Sequence, residues 1–136
     1  MTTHEAVLHP PALINELKKN KISHIVWLPD SETNFMYQML QAEPSIDLVP
    51  VCREGETMAI AAGLWVGGAR PIVLIQNTGF FESGDSMRNI VFDLRLPVFA
   101  IIGARNWLTE SSSDTARRFM LPVVQAWDID FEFITG

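Results

Sequence analysis

The chain has 136 residues, 48% of them hydrophobic and 19% charged, and ten Lys and Arg against sixteen Asp and Glu leave a net charge of −6. That is material for one domain with a real core. The acidic balance, with no basic run, excludes a phosphate-neutralising surface, so no nucleic-acid partner is expected. No apolar run approaches the roughly 18 residues of a membrane span, and the start, Met1-Thr2-Thr3-His4-Glu5, lacks the basic region and apolar core of a signal peptide. One cysteine, Cys52, and three scattered histidines, His4, His9 and His24, offer neither a disulfide nor a zinc site. A cytoplasmic protein that does not enter membranes is expected.

Pro10-Pro11 opens a helical pattern over residues 12–20, with Leu13, Ile14 and Leu17 on one face and lysines at its end. Residues 24–28 read as a strand closed by Pro29-Asp30-Ser31, and residues 34–41 return to helical spacing through Phe35, Met39 and Leu40. The alternation continues with a strand at 46–51, a small-residue helix at 54–66 stopped by Gly67-Gly68, and an apolar strand at 72–75. A polar loop over 76–84, a helix at 85–94, a strand at 98–102 after Pro97, a polar loop over 103–115, a helix at 116–127 and a last strand at 131–134 complete the pattern.

Strands that are apolar throughout and alternate with helices predict a doubly wound parallel α/β sheet with helices on both faces, residues 1–136 forming a single domain. The chain ends just after a predicted strand, so the fold is expected to lack a last helix and strand. Ligands of such sheets bind at the carboxyl ends of the strands. The loops to weigh are therefore Pro29-Asp30-Ser31, Arg53-Glu54-Gly55-Glu56, Gln76-Asn77-Thr78-Gly79 and Gly103-Ala104-Arg105-Asn106. They contain no GxGxxG, no GxxxxGK[ST] and no GxSxG, which argues against a dinucleotide fold, a P-loop and a nucleophile elbow. A carboxylate at a strand end before a thin helix can move protons, but Glu54 and Glu56 also suit a helix N-terminus without any chemistry.

The run Arg53-Glu54-Gly55-Glu56-Thr57-Met58-Ala59-Ile60-Ala61-Ala62-Gly63, then Pro71-Ile72-Val73-Leu74-Ile75-Gln76-Asn77-Thr78-Gly79, together with Pro29-Asp30-Ser31, resembles the pyrimidine-binding (Pyr) domain of thiamine diphosphate enzymes. Within that family it looks most like the sulfopyruvate and phosphonopyruvate decarboxylase group, and the likeness runs over residues 12–133. The resemblance implies that Glu54 hydrogen-bonds N1′ of the cofactor aminopyrimidine and relays a proton, with the cofactor carrying the decarboxylation of a 2-oxo acid. It makes Gln76, Asn77, Thr78 and Gly79 cofactor-binding and Pro29, Asp30, Ser31 and Arg105 substrate-binding, while Glu56 is expected to be a helix-start charge only. The pattern departs at Phe80-Phe81-Glu82, where relatives read Leu-Gly-Asn, and at Asn106, where they tend to carry Gly. The added carboxylate of Glu82 is expected to repel a sulfonate or phosphonate.

The family also needs a diphosphate-binding (PP) domain with a Gly-Asp-Gly signature and a later Asn, and Gly84-Asp85-Ser86 is the nearest string here. The resemblance therefore implies an alpha subunit whose separate PP-domain (beta) partner holds Mg2+ and the diphosphate. It also implies self-association through the Pyr domain, with the helix at 57–65 near an interface. Two other readings stand beside it: a non-catalytic dimerising module descended from such a domain, favoured by Phe80-Phe81-Glu82, and a flavodoxin-like receiver or flavin domain, which lacks its acidic pair and phosphate loop.

Overall fold

A computed structural model describes residues 9–134. The leader reading of Met1-Thr2-Thr3-His4-Glu5, the histidine His4 and the terminal Thr135-Gly136 lie outside the described residues. Among the described residues no helix is long and apolar enough to cross a membrane.

Pro10 and Pro11 occupy the first turn of α1 (Pro10–Lys19), where their missing N–H groups cost nothing, and Lys18 and Lys19 complement the last turn. The helix thus begins two residues before its apolar pattern does. Strand β1 (His24–Trp27) follows, then a 3₁₀ turn at Asn34–Met36 leading into α2 (Tyr37–Gln41) and strand β2 (Asp47–Pro50). A second 3₁₀ turn, Glu54–Glu56, precedes α3 (Thr57–Val66), and β3 (Pro71–Gln76) is buried along its whole length.

The predicted polar loop over 76–84 is a helix instead. Gln76 ends β3, α4 (Asn77–Glu82) starts at once, and Ser83 leads into α5 (Gly84–Met87) and a π-helical turn at Arg88–Asp93. Phe80 enters the core at 2% exposure and drives the helix, while Glu82 and Ser83 bond to a neighbouring turn. Strand β4 (Phe99–Gly103) and helix α6 (Thr115–Ala126) complete the elements. The segment 131–134, predicted as a strand, is not one: it takes no place in the sheet, and Phe131 and Ile134 are exposed.

The four strands form one parallel sheet in the order β2-β1-β3-β4. Successive side chains divide between its faces. Ile25, Trp27, Ile72 and Leu74 pack with Ile14 and Leu17 of α1 and with Met36 and Leu40 beside and within α2. Val26, Val73 and Ile75 pack on the other face with Met58 and Ala61 of α3, Met87 of α5 and Met120 of α6. Fully burying each such aliphatic side chain contributes about 1.5–3 kcal/mol, so both faces must stay covered. The chain leaves β1 towards β2 and leaves β3 towards β4, so the direction of winding reverses between two hydrogen-bonded neighbours. That reversal opens a crevice at the carboxyl ends of β1 and β3.

Of the aromatic residues expected in the core or at an interface, Trp27 is core, whereas Phe35, Trp65, Phe92 and Phe99 are exposed. Helix α3 is apolar all round, yet Ala59, Gly63 and Val66 point away from the core on one exposed stripe.

Candidate functional site at the carboxyl edge of the sheet

Three loops converge on the crevice. After β1, Asp30 organises its own turn: Oδ1 accepts from the backbone N–H of Glu32 at 2.8 Å and of Thr33 at 2.9 Å. Thr33 Oγ1 accepts in turn from Trp27 Nε1 at 2.9 Å, which ties the turn to the sheet. Pro29 and Ser31 are exposed, whereas the second oxygen of Asp30, Oδ2, is buried and bonded to nothing. The turn also rests on the end of β4, where a Cβ on Gly103 would fall 2.9 Å from Glu32 Cβ, so only glycine fits.

At the end of β3, Gln76 is 9% exposed and Asn77 is fully buried. Gln76 Oε1 and both side-chain polar atoms of Asn77 have no hydrogen-bond partner. Buried polar groups are nearly always paired, and an unpaired one costs about 1–3 kcal/mol. With Asp30 Oδ2, four such atoms fall at the carboxyl ends of the neighbouring strands β1 and β3.

The turn that carries Glu54 is the opposite case. Glu54 is half-buried, and its carbonyl accepts from Thr57 Oγ1 at 2.6 Å and from Ser83 Oγ at 2.9 Å. Its side chain lies so close over α4 that a Cβ on Gly79 would sit 2.5 Å from Glu54 Cγ. Gly55 donates its N–H to Glu82 Oε2 at 3.1 Å, and its carbonyl accepts from Ser86 Oγ at 3.0 Å. Glu56, by contrast, is exposed.

Glu82 itself is held by Arg53, whose Nε donates to Oε1 at 2.7 Å and whose Nη2 pairs with the same oxygen. The Arg53 guanidinium, then the Gly55 N–H, keep the Glu82 carboxyl below the usual carboxylate range. Glu82, expected to repel an anion, is thus paired with the Arg53 guanidinium.

Arg105 lies two residues beyond β4. Its Nε pairs with Asp114 Oδ2 at 3.0 Å, and Asn106 Nδ2 donates to the same oxygen at 2.8 Å. Asp114 Oδ1 caps α6 by accepting from the Ala116 N–H at 2.9 Å. That backbone bond, then Asn106, and the Arg105 charge lower the Asp114 carboxyl below its ordinary value. Asn106 adopts the left-handed conformation, φ 58°, and its amide reaches Asp114 from there.

The structure thus brings Glu54 and Gly79 into direct contact. Asn77 and Thr78 immediately precede Gly79 in the first turn of α4, and Asp30 follows the end of the adjacent strand β1. Pro29 lines a separate groove of about 360 Å³ on the α2 side, with Trp27, Tyr37, Leu40 and Pro50, which none of Glu54, Gln76 or Asn77 enters. Sequence reasoning missed Glu82, Ser83, Ser86 and Asp114. The first three fall with Gly79 at the i, i+3, i+4, i+7 spacing of one helix face, a signal hidden by reading 76–84 as a loop.

An open parallel α/β sheet with its candidate site at the carboxyl edge is the class that this geometry defines. No protein-family model matches the chain. It is a relative of sulfopyruvate decarboxylase alpha subunits: it is 27% identical over 99 residues to that of Methanocaldococcus jannaschii, covering 73% of this chain and 59% of the relative. To that of Methanococcus maripaludis it is 24% identical over 102 residues, covering 75% and 61%. It is also 25% identical over 80 residues to phosphonopyruvate decarboxylase of Streptomyces viridochromogenes, covering 59% of this chain and 20% of that protein. The chain spans less than two thirds of the length of the alpha subunits it matches.

Proposed function

We propose that this chain is the Pyr-type alpha subunit of a two-chain, thiamine diphosphate-dependent 2-oxo acid decarboxylase of the sulfopyruvate and phosphonopyruvate type. One observation carries the reading: a carboxylate on a tightly held turn, Glu54, beside a strand end where the buried side chains of Gln76 and Asn77 have no partner of their own. An amide with a free donor and a free acceptor fits a flat heterocycle edged with both, as an aminopyrimidine is. Bound thiamine diphosphate would supply the electron sink for loss of CO2.

The residues of the chain have separable tasks in this reading. Glu54 takes and returns a proton at the aminopyrimidine edge from its half-buried place on the turn. Gln76 and Asn77 orient the ring through their free amide atoms, and the bare backbone of Gly79 leaves room for the Glu54 side chain beside it. Thr78 belongs with these cofactor contacts, and Asp30, Ser31 and Arg105 are the residues left to meet the substrate, whereas Pro29 faces the separate groove on the α2 side. Mg2+ and the diphosphate fall to a separate PP-domain chain, and the exposed stripe of α3 suits self-association in the cell interior. In Phe80-Phe81-Glu82, the segment that suits a module without chemistry, Phe80 packs in the core and Glu82 bonds the turn of Glu54.

The test is to purify the tagged chain gently from its own host and determine native mass, co-purifying proteins and bound thiamine diphosphate together. A second α/β chain with cofactor is expected, and the isolated chain should bind the cofactor more weakly than micromolar. In the assembled enzyme Glu54→Gln should lower turnover by about 100-fold or more, and Glu56→Gln should leave it unchanged. Near-normal turnover in Glu54→Gln would sink the assignment.

A further inference from the structure

Residues Gly79, Glu82, Ser83 and Ser86 lie on one face of an almost unbroken helical stretch, since the Ser83 N–H bonds Gly79 O at 2.9 Å and the Met87 N–H bonds Ser83 O at 2.8 Å. Every member of that face touches the three-residue segment Arg53-Glu54-Gly55. Gly79 receives the Glu54 side chain, Ser83 holds the Glu54 carbonyl, and Ser86 holds the Gly55 carbonyl. Glu82 reaches both neighbours of Glu54 at once, the Arg53 guanidinium on one side and the Gly55 N–H on the other.

We propose that Glu82 is the positioning residue for Glu54: its carboxylate bridges Arg53 and Gly55 and so fixes the turn on which the Glu54 carboxyl is presented. The inference rests on the reading of Glu54 as the proton-handling group, and it adds a residue that acts through Glu54 without itself meeting cofactor or substrate. A carboxylate is the one side chain suited to the task, because one oxygen must accept from a guanidinium while the other accepts from a backbone N–H. A single 3₁₀ turn between a strand and a helix has little hydrogen bonding of its own, so outside contacts decide where its side chain points. Without the bridge the Glu54 side chain would sample several rotamers, and proton transfer depends on alignment within hydrogen-bond reach.

The experiment uses the full chain alone, labelled with 15N and with 13C at the glutamate side chains. In Glu82→Leu the Gly55 amide should exchange at least about tenfold faster while the amides of β3 keep their protection. The Glu54 carboxyl resonance should also move towards that of an unstructured glutamate. Glu82→Gln, which keeps an amide oxygen for the Gly55 N–H, should restore most of the Gly55 protection. Arg53→Gln, a change at an exposed side chain, should move the Glu54 resonance and leave Gly55 protected. An unchanged Glu54 resonance in either Glu82→Leu or Arg53→Gln overturns the proposal, and the second variant decides the matter if the first does not fold. Failure of the cofactor reading registers elsewhere, as thiamine diphosphate uptake and turnover by the assembled pair that Glu54→Gln does not alter.

Discussion

The turn at Arg53–Gly55 and the strand ends at Asp30 and Gln76-Asn77 lie at the same edge of the sheet, yet they are built on opposite terms. In the turn, the Glu54 and Gly55 carbonyls and the Gly55 N–H all have side-chain partners, supplied by Thr57 and by one face of a neighbouring helical stretch. At the strand ends, four buried polar atoms have none. The first arrangement spends interactions on geometry, and the second withholds them at a cost in stability. A site that must present one proton-transfer group in a fixed place, and recognise a polar ligand beside it, needs both kinds of region.

The largest effect that would break this contrast comes from filling the contact between the two regions. A Cβ at Gly79 would meet Glu54 Cγ at 2.5 Å and Cβ at 2.9 Å, so Gly79→Ala must displace the Glu54 side chain or α4. Overpacking of this kind costs about 1–3 kcal/mol. The expected result is a lower urea midpoint together with loss of the Gly55 protection. Gly84→Ala is the control, because its Cβ would meet only Trp127 at 3.8 Å and should leave both readings near those of the parent. Equal behaviour of the two variants would show that the close approach at Gly79 does not hold the turn.

Next in size is the withheld half. If Asn77 is buried for a ligand and not for the fold, replacing its amide by a hydrocarbon should remove an unsatisfied burial worth about 1–3 kcal/mol. Asn77→Leu should then raise the unfolding midpoint of the isolated chain while weakening thiamine diphosphate uptake by the assembled enzyme. A destabilised Asn77→Leu would mean that the amide supports the fold, and the orphaned atoms would lose their standing as a recognition surface.

The same contrast explains what could be read from the sequence. The alternation of apolar strands and helices was legible because β3 is buried throughout and α1 and α6 carry apolar faces, so a parallel sheet covered on both sides follows from pattern, whereas the strand order does not. Glu54, Gln76 and Asn77 were legible as strand-end residues of a recognisable motif. The clamp was not, because Asn77-Thr78-Gly79 looks like a turn, and only the burial of Phe80 and the cross-contacts of Glu82, Ser83 and Ser86 make it a helix. Glu82 read only as a carboxylate that would repel an anion, because its partner Arg53 is 29 residues away in sequence. Segment 131–134 has strand-like residues but finds no ladder partner, which periodicity cannot foresee.

The smallest effect is expected from acid, and it separates the turn, which is anchored through a carboxylate, from β3, which is not. The Glu82 carboxyl is lowered by Arg53 and the Gly55 N–H, and that of Asp114 by the Ala116 N–H and Asn106. Away from the site, Glu43 is lowered from 4.5 to about 2 by the Ser45 hydroxyl, Lys18 and the Ser45 N–H. A group whose folded pKa lies below its unfolded one adds stability that is complete above the ordinary carboxylate range and disappears as pH falls through the folded value. Acidification below pH ~4 should therefore loosen the Arg53–Gly55 turn, whose anchor is a carboxylate, before it loosens β3, whose bonds are backbone to backbone. Protection factors, which divide out the intrinsic pH dependence of exchange, should fall first at Gly55 and only later at Val73. The Glu82→Gln variant should show little of that early loss. If Gly55 and Val73 lose protection together in the parent chain, the turn is held by the general fold and not by the Glu82 carboxylate.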